Sequence, residues 1–429
     1  MTADTAVASG RFRWGLFVIS CAALFPIGVD ELSVNYLFVL VPVAWVVSRG
    51  RVEHLPPLLQ MAAVVFGLVF VLSIVIAPDQ VDLLARRVAS FLVFVTFLAF
   101  SFVRLRAEDV DAFKLAVVTM SVAFSLYAIF AFLEASAAGP VHFEAKNLVG
   151  SQRYGFVYVA GLWILLLGQR RGGRAQIVRL AGLIVVTAGL GLTFSRSAFI
   201  ATVGSIALFA AARVVQRVVK LEIKIPGPKV IVGLVFAVVA LAVTLRSFPL
   251  TIEFYQETLL APIADRSLFE SMGQSGTSEG IRVVRVQETL SHLASYPLTG
   301  TGYLGIWTIS PSGGGSAHNQ LLDVLLRVGI AGFLMYLVIL ASLMRFLARA
   351  DTSLFWGLVA ILIYGFFHET FKESQGAFVL AFLVGMMAQD WRDRRSSRAR
   401  QNGVLPGHGR GAHVQQRLRP TLAGTGTDH

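Results

Sequence analysis

The 429-residue chain has a single cysteine, Cys21, inside its first apolar run. One thiol can form neither an internal disulfide nor a zinc cluster, which excludes the disulfide-scaffold and cysteine-zinc classes. Charge is also scarce. Only 14% of residues are charged and 55% are hydrophobic, whereas a soluble domain is roughly a quarter charged. At ~150 residues per domain the length would suggest about three globular domains, but too few charged side chains remain to solvate three surfaces. No C-x-x-C, no histidine pair at metal-ligand spacing and no convincing internal repeat occurs, so neither a metal nor a cofactor is expected. The composition also excludes disordered and fibrous chains.

Long apolar runs are abundant. About twelve segments of spanning or near-spanning length lie near 14–29, 32–48, 56–77, 83–103, 115–138, 154–168, 180–195, 197–212, 230–246, 328–347, 354–368 and 375–389. The expected fold is an all-α polytopic membrane protein with one large extracytoplasmic loop between the ninth and tenth helices. Only Phe194-Ser195-Arg196-Ser197 separates the seventh and eighth segments, which predicts a tight turn. Residues 1–245 are read as transmembrane helices 1–9, 246–319 as the outer loop with short helices, 320–389 as helices 10–12, and 390–429 as a disordered basic tail. Arg11 and Arg13 precede the first apolar stretch without a clear cleavage site, so that stretch is expected to remain as a span.

The 37 Lys and Arg exceed the 25 Asp and Glu, a net of +12. On a soluble protein such an excess would suggest nucleic acid. In a membrane protein it suggests the positive-inside rule. With the N-terminus inside, every inner connection is basic and 26 of the 37 cations lie on the inner side. Both termini are then cytoplasmic and no nucleic-acid partner is expected.

The remaining 11 cations face outward, where topology does not account for them. Arg196 stands between two apolar segments, where a cation is costly unless it serves an anion or a buried partner. Arg282 and Arg285 are neighbours on one face of the helical pattern 281–293. Arg285 has Glu288 three residues on, so an ion pair is its local alternative, whereas Arg282 has no such partner. Guanidinium groups suit diphosphate through bidentate hydrogen bonds. His318 follows a Gly-rich loop and precedes an apolar helix, a placement that suits a general base. Asp323 and Arg327 are four apart and are expected to pair. Gly300-Thr-Gly302-Tyr-Leu-Gly305 fits G-x-G-x-x-G but follows a helical pattern with no βαβ unit, so a dinucleotide site is not expected. Asp109-Val-Asp111 reads as the acidic start of a helix rather than a metal-binding D-x-D.

These residues carry a family resemblance. Arginine at a helix start, Pro297-Leu-Thr-Gly300-Thr-Gly302, the Ala317-His318-Asn319 step, nine residues to Gly329-x-x-Gly332, and the Ser195-Arg196-Ser197-Ala198 turn together resemble the O-antigen ligase and O-antigen polymerase superfamily of bacterial envelope glycosyltransferases. Ligases often follow G-x-x-G with Thr-Lys, where Phe333-Leu334 stand here; the Trp often found near the loop arginine is Val286.

The resemblance implies a metal-independent, inverting glycosyl transfer at the outer face of the cytoplasmic membrane. The donor would be an undecaprenyl-diphosphate-linked oligosaccharide and the acceptor a glycan or lipid A-core hydroxyl. It also implies His318 as base, Arg196 and Arg282 on the diphosphate with Arg285 as a further candidate, and Asn319 on the acceptor side. Repeat-unit polymerisation of O-antigen, capsule or exopolysaccharide is the leading expectation and ligation the alternative. A polytopic transporter is the reading from another class.

Overall fold

The structure, a computed structural model, describes residues 3–25, 28–29, 32–33, 53–76, 84–138, 151–168, 173–193, 195–219, 278–308, 319–368, 370–371 and 374–401. Its helices are α1 (Ala3–Leu24), α2 (Pro57–Ile76), α3 (Leu84–Ala99), α4 (Ala107–Ala138), α5 (Ser151–Leu167), α6 (Arg174–Leu192), α7 (Arg196–Val219), α8 (Ser278–Ser295), α9 (Gln320–Ala350), α10 (Thr352–Gly365) and α11 (Ser374–Gln401). A two-residue antiparallel pairing, Gly28–Val29 with Leu32–Ser33, is the only extended element among the described residues. Among the described residues, five helices are long and apolar enough to cross a membrane, in α2, α4, α6, α7 and α9, and four shorter apolar helices accompany them. The protein is helical and polytopic. The expected span at 230–246 and all of the span at 32–48 beyond Ser33 lie outside the described residues, as do most of the expected outer loop and residues 402–429.

α5 is the centre of the bundle. Its residues from Gly155 to Leu166 are all buried, as expected for a helix that is apolar all round. It packs against α4, α6, α7 and α10. Small residues let these helices approach closely. Gly161 of α5 faces Ser121 of α4, and Gly189 of α6 faces Ser125. Trp163 donates to Ser205 Oγ of α7 at 3.0 Å and stacks on Trp356 of α10 at 5.6 Å. α2 turns Val64, Leu68, Val71 and Val75 outward, which gives the apolar exterior a bilayer requires.

Charged side chains close the end of the bundle that the charge count places inside. Asp109 accepts from the Arg106 backbone N–H at 2.8 Å, the back-reaching half of a capping box. The D-x-D stretch therefore starts α4, as expected. Lys114 pairs with Asp351, which caps α10 by accepting from Ser353 and Leu354 N–H, both at 3.0 Å. Arg179 donates to the carbonyls of Leu165, Leu166 and Gly168 at the C-terminus of α5.

The expected disordered tail requires a correction at its start. α11 continues to Gln401, so residues 390–401 are helical. Asp390 and Arg394 form an i, i+4 pair at 2.6 Å. Arg392 is buried and donates to Ser101 O at 2.6 Å and Val103 O at 2.9 Å. Anchoring on the preceding bundle overrides the polar composition that argued for disorder.

Candidate functional site

The opposite end of the bundle is organised by a break in α9. Gly329 has φ 64° and ψ −172°, a conformation that is essentially confined to glycine. The break releases backbone groups that a continuous helix would pair, and the turn after α8 takes them up. Thr301 N–H donates to Leu326 O at 2.7 Å, Tyr303 N–H donates to Arg327 O at 2.8 Å, and Ile330 N–H donates to Pro297 O at 2.9 Å. A Cβ on Gly300 would lie 2.3 Å from Leu326 O, and one on Gly329 2.3 Å from Leu298 O. Two motifs that are separate in sequence, 297–305 and 329–332, are thus one interlocked structure. Its glycines serve backbone contact, in agreement with the reading that rejected a dinucleotide site. Gly329→Ala is expected to combine a backbone strain of about 1–3 kcal/mol with this collision. A lower thermal midpoint and reduced accumulation in the membrane would show it.

The expected Asp323–Arg327 pair is present and buried. Arg327 Nε meets Asp323 Oδ2 at 2.8 Å, with the side chains 3% and 0% exposed. The same guanidinium donates through Nη1 to Tyr303 O at 2.7 Å and Ser90 Oγ at 3.2 Å. It lies against Gly305, where a Cβ would meet its Cζ at 2.7 Å. Arg327 therefore fastens the 297–305 turn to α9 and α3. Tyr303 extends the attachment by donating its hydroxyl to Phe66 O of α2 at 2.8 Å. Arg87, another of the outward cations, is buried and donates to Ser73 O at 2.9 Å.

The Arg196 segment forms the expected tight turn between α6 and α7, and Arg196 is the first residue of α7. Its two flanking serines hydrogen-bond to each other, Ser195 Oγ to Ser197 Oγ at 2.9 Å. Ser197 Oγ also meets His368 Nε2 at 2.7 Å. The His368 ring stacks on Tyr364, with centroids 4.7 Å apart.

The connection from α10 to α11 that contains His368 also holds the start of α9. Asn319 donates through Nδ2 to Phe366 O at 3.2 Å, and Gln320 Oε1 accepts from the Phe371 N–H at 2.6 Å. The 366–371 connection is thus hydrogen-bonded both to the Arg196 turn and to the residue that follows His318. No local pattern in the sequence marks His368, Gln320 or Tyr364 as part of a site. No spacing pattern connects Ser197 with a partner 171 residues away.

Asn319 has a structural role that the resemblance did not supply. It is the N-cap of α9, with its side-chain carbonyl accepting from Leu322 N–H at 3.0 Å. Asn319→Ala is expected to cost about 1 kcal/mol of stability, whereas Asn319→Ser keeps a cap. If Asn319 acts only through the cap, the serine variant restores both the thermal midpoint and activity. If it also contacts substrate, stability returns without activity.

α8 carries Arg282 and Arg285. Arg285 Nη1 pairs with Glu288 at 2.8 Å, the local ion pair expected from the spacing. On the same helix His292 is pushed below the ordinary imidazole range by burial, with a hydrogen bond to the Gly300 backbone opposing the shift. It is therefore neutral near pH 7. The unfolded chain would bind the proton at higher pH than the folded one, so this contribution to stability is lost as pH falls. His318 and the side chains of Arg196 and Arg282 lie outside the described residues.

No curated protein matches the chain. Residues 181–337 match the model of the family described as Wzy_C, O-Antigen ligase. That stretch contains Arg196, Arg282, His318, the 297–305 turn and the break at Gly329, whereas the 366–371 connection lies beyond it. The polytopic helical chain thus carries an O-antigen ligase-type domain over residues 181–337, within which the motif's Pro-Gly turn and its G-x-x-G step interlock.

Proposed function

We propose that the chain transfers a glycan from an undecaprenyl-diphosphate-linked donor to an acceptor hydroxyl at the outer face of the bacterial cytoplasmic membrane, polymerising the repeat units of O-antigen, capsule or exopolysaccharide. The observation that carries this reading is the 366–371 connection, which is hydrogen-bonded to the turn bearing Arg196 and to Asn319 next to His318. It joins Ser197, the neighbour of Arg196, to Asn319, the neighbour of His318, although the two are far apart in sequence.

Arg196 and Arg282 hold the donor diphosphate and stabilise the charge that develops as the sugar departs. His318 takes the proton from the acceptor hydroxyl, whose oxygen attacks the anomeric carbon as the carbon–phosphate oxygen bond breaks. A single displacement inverts that centre. Diphosphate is a good leaving group, so no step in this scheme requires a metal. Arg285, already neutralised by Glu288, is secondary to Arg282. Arg282→Lys keeps the charge but loses the bidentate fork. A large loss of transfer is expected from purified protein supplied with the lipid-linked donor.

Ligation of finished glycan to lipid A-core or protein is the second reading, favoured by the description of the matching family. Deleting the gene and analysing surface and lipid-linked glycan separates the two. Loss of chain length with single units retained means polymerisation. Full-length polymer stranded on the carrier lipid means ligation. Unchanged glycan would refute both, and failure of the purified protein to transfer from a lipid-linked donor would return the transporter reading.

A further inference from the structure

α8 has a polar face to which the proposed transfer step assigns at most the secondary role of Arg285. Arg285, Thr289 and His292 stand at i, i+4 and i+7, and so share one side of the helix. Each ends in a buried atom that has no hydrogen-bond partner among the described residues: Arg285 Nε, Thr289 Oγ1 and His292 Nε2. Thr289 is fully buried, at 0% exposure. Buried polar atoms are nearly always hydrogen-bonded. Three such atoms in register along one face point to a polar ligand as their shared partner.

The chemistry of the face narrows the class of ligand. Glu288 neutralises Arg285 across 2.8 Å, and burial keeps the His292 imidazole uncharged near neutral pH. The face therefore offers an N–H donor, a hydroxyl and a neutral ring nitrogen, with no net positive charge for an anion. Sugar hydroxyls both donate and accept, so they satisfy all three atoms whichever tautomer His292 adopts. Seven residues at 1.5 Å rise span about 10 Å, a length suited to more than one sugar ring. The face is also coupled to the rest of the site, because His292 meets the Gly300 backbone of the turn that docks on α9.

We propose that the Arg285–Thr289–His292 face of α8 is a glycan subsite that takes the hydroxyls of a neutral sugar segment, with Arg285 serving the sugar and the diphosphate left to Arg196 and Arg282. The proposal rests on the reading of the chain as a glycan transferase and adds where the sugar lies.

The test uses purified full-length protein in detergent. The probes are the oligosaccharide released by mild acid from the lipid-linked pool of the producing cells, and inorganic diphosphate. Binding of each is measured alongside the thermal midpoint. Thr289→Val is isosteric and removes an unpartnered hydroxyl, so its midpoint should be unchanged or higher. Its oligosaccharide affinity should nevertheless fall about fivefold, the scale of one neutral hydrogen bond. His292→Phe should weaken oligosaccharide binding to a similar or greater extent. Thr289→Ser should retain the affinity of the parent, and all three should bind diphosphate as the parent does.

Unchanged oligosaccharide affinity in both Thr289→Val and His292→Phe would overturn the subsite and leave the transferase reading intact. Selective loss of diphosphate binding would overturn it in favour of an anion site. A loss of oligosaccharide affinity accompanied by a lower midpoint in Thr289→Val, with both defects repaired in Thr289→Ser, would overturn it in favour of a structural role. Failure of the parent protein either to bind the oligosaccharide or to transfer from the lipid-linked donor would refute the transferase reading itself.

Discussion

Replacing His318 with alanine is expected to abolish transfer while the protein still inserts and accumulates. Removing a general base costs about 10²- to 10⁴-fold in rate, which in an assay of lipid-linked glycan is indistinguishable from a null. The fold should tolerate the change. The start of α9 is held by its neighbours: Asn319 caps the helix, Asn319 Nδ2 donates to Phe366 O, and Gln320 accepts from Phe371 N–H. His318 is needed for none of these bonds. A variant that accumulates normally, melts at the parent temperature and transfers nothing would establish a chemical role. Full activity would refute the base assignment, and loss of accumulation would show instead that the residue is structural.

The second large effect concerns stability. Asp323→Ala removes one partner of a pair whose side chains are 0% and 3% exposed. It leaves the Arg327 guanidinium charged and buried, at a cost of about 3–5 kcal/mol. The damage should extend beyond α9, because Arg327 also donates to Tyr303 O and Ser90 Oγ. The 297–305 turn would lose an anchor, and Tyr303 would be freed to leave Phe66 O. A steep fall in thermal midpoint and in membrane accumulation is the expected result. Asp323→Leu combined with Arg327→Met removes both charges and should be milder than Asp323→Ala alone. A single variant as stable as the parent would mean that the guanidinium finds another partner.

Features that depend on near neighbours in the chain were legible before the fold was known. The Asp323–Arg327 and Arg285–Glu288 pairs follow from i, i+4 and i, i+3 spacing on a helix. The break before Arg196 follows from two apolar runs together too long for one span. The helix start at Asp109 follows from its capping position. Each interaction is completed within one turn or one connection.

The inner cations show the limit of such reading. Counting by side assigned them to topology, yet Lys114, Arg179 and Arg392 each join segments that are separate in sequence. Arg392 reaches a carbonyl 291 residues away, and this contact belongs to the part of the tail expected to be disordered. Composition registers that a residue is charged. It carries no information about which unpaired carbonyls lie within its reach.

By itself the sequence determined the class of protein, the apolar helices of the described residues and the family motif, because hydropathy and helical periodicity are local properties. Only the tertiary structure decided what the motif's glycines do. The Pro297-to-Gly302 turn and Gly329 are spaced parts of a pattern until the break in α9 frees backbone groups that the turn then pairs. Only the tertiary structure also joined Ser197 to His368 and His368's connection to Asn319. Packing of α7, α9 and α10 sets those contacts, and chain proximity does not, so no periodicity could have revealed them.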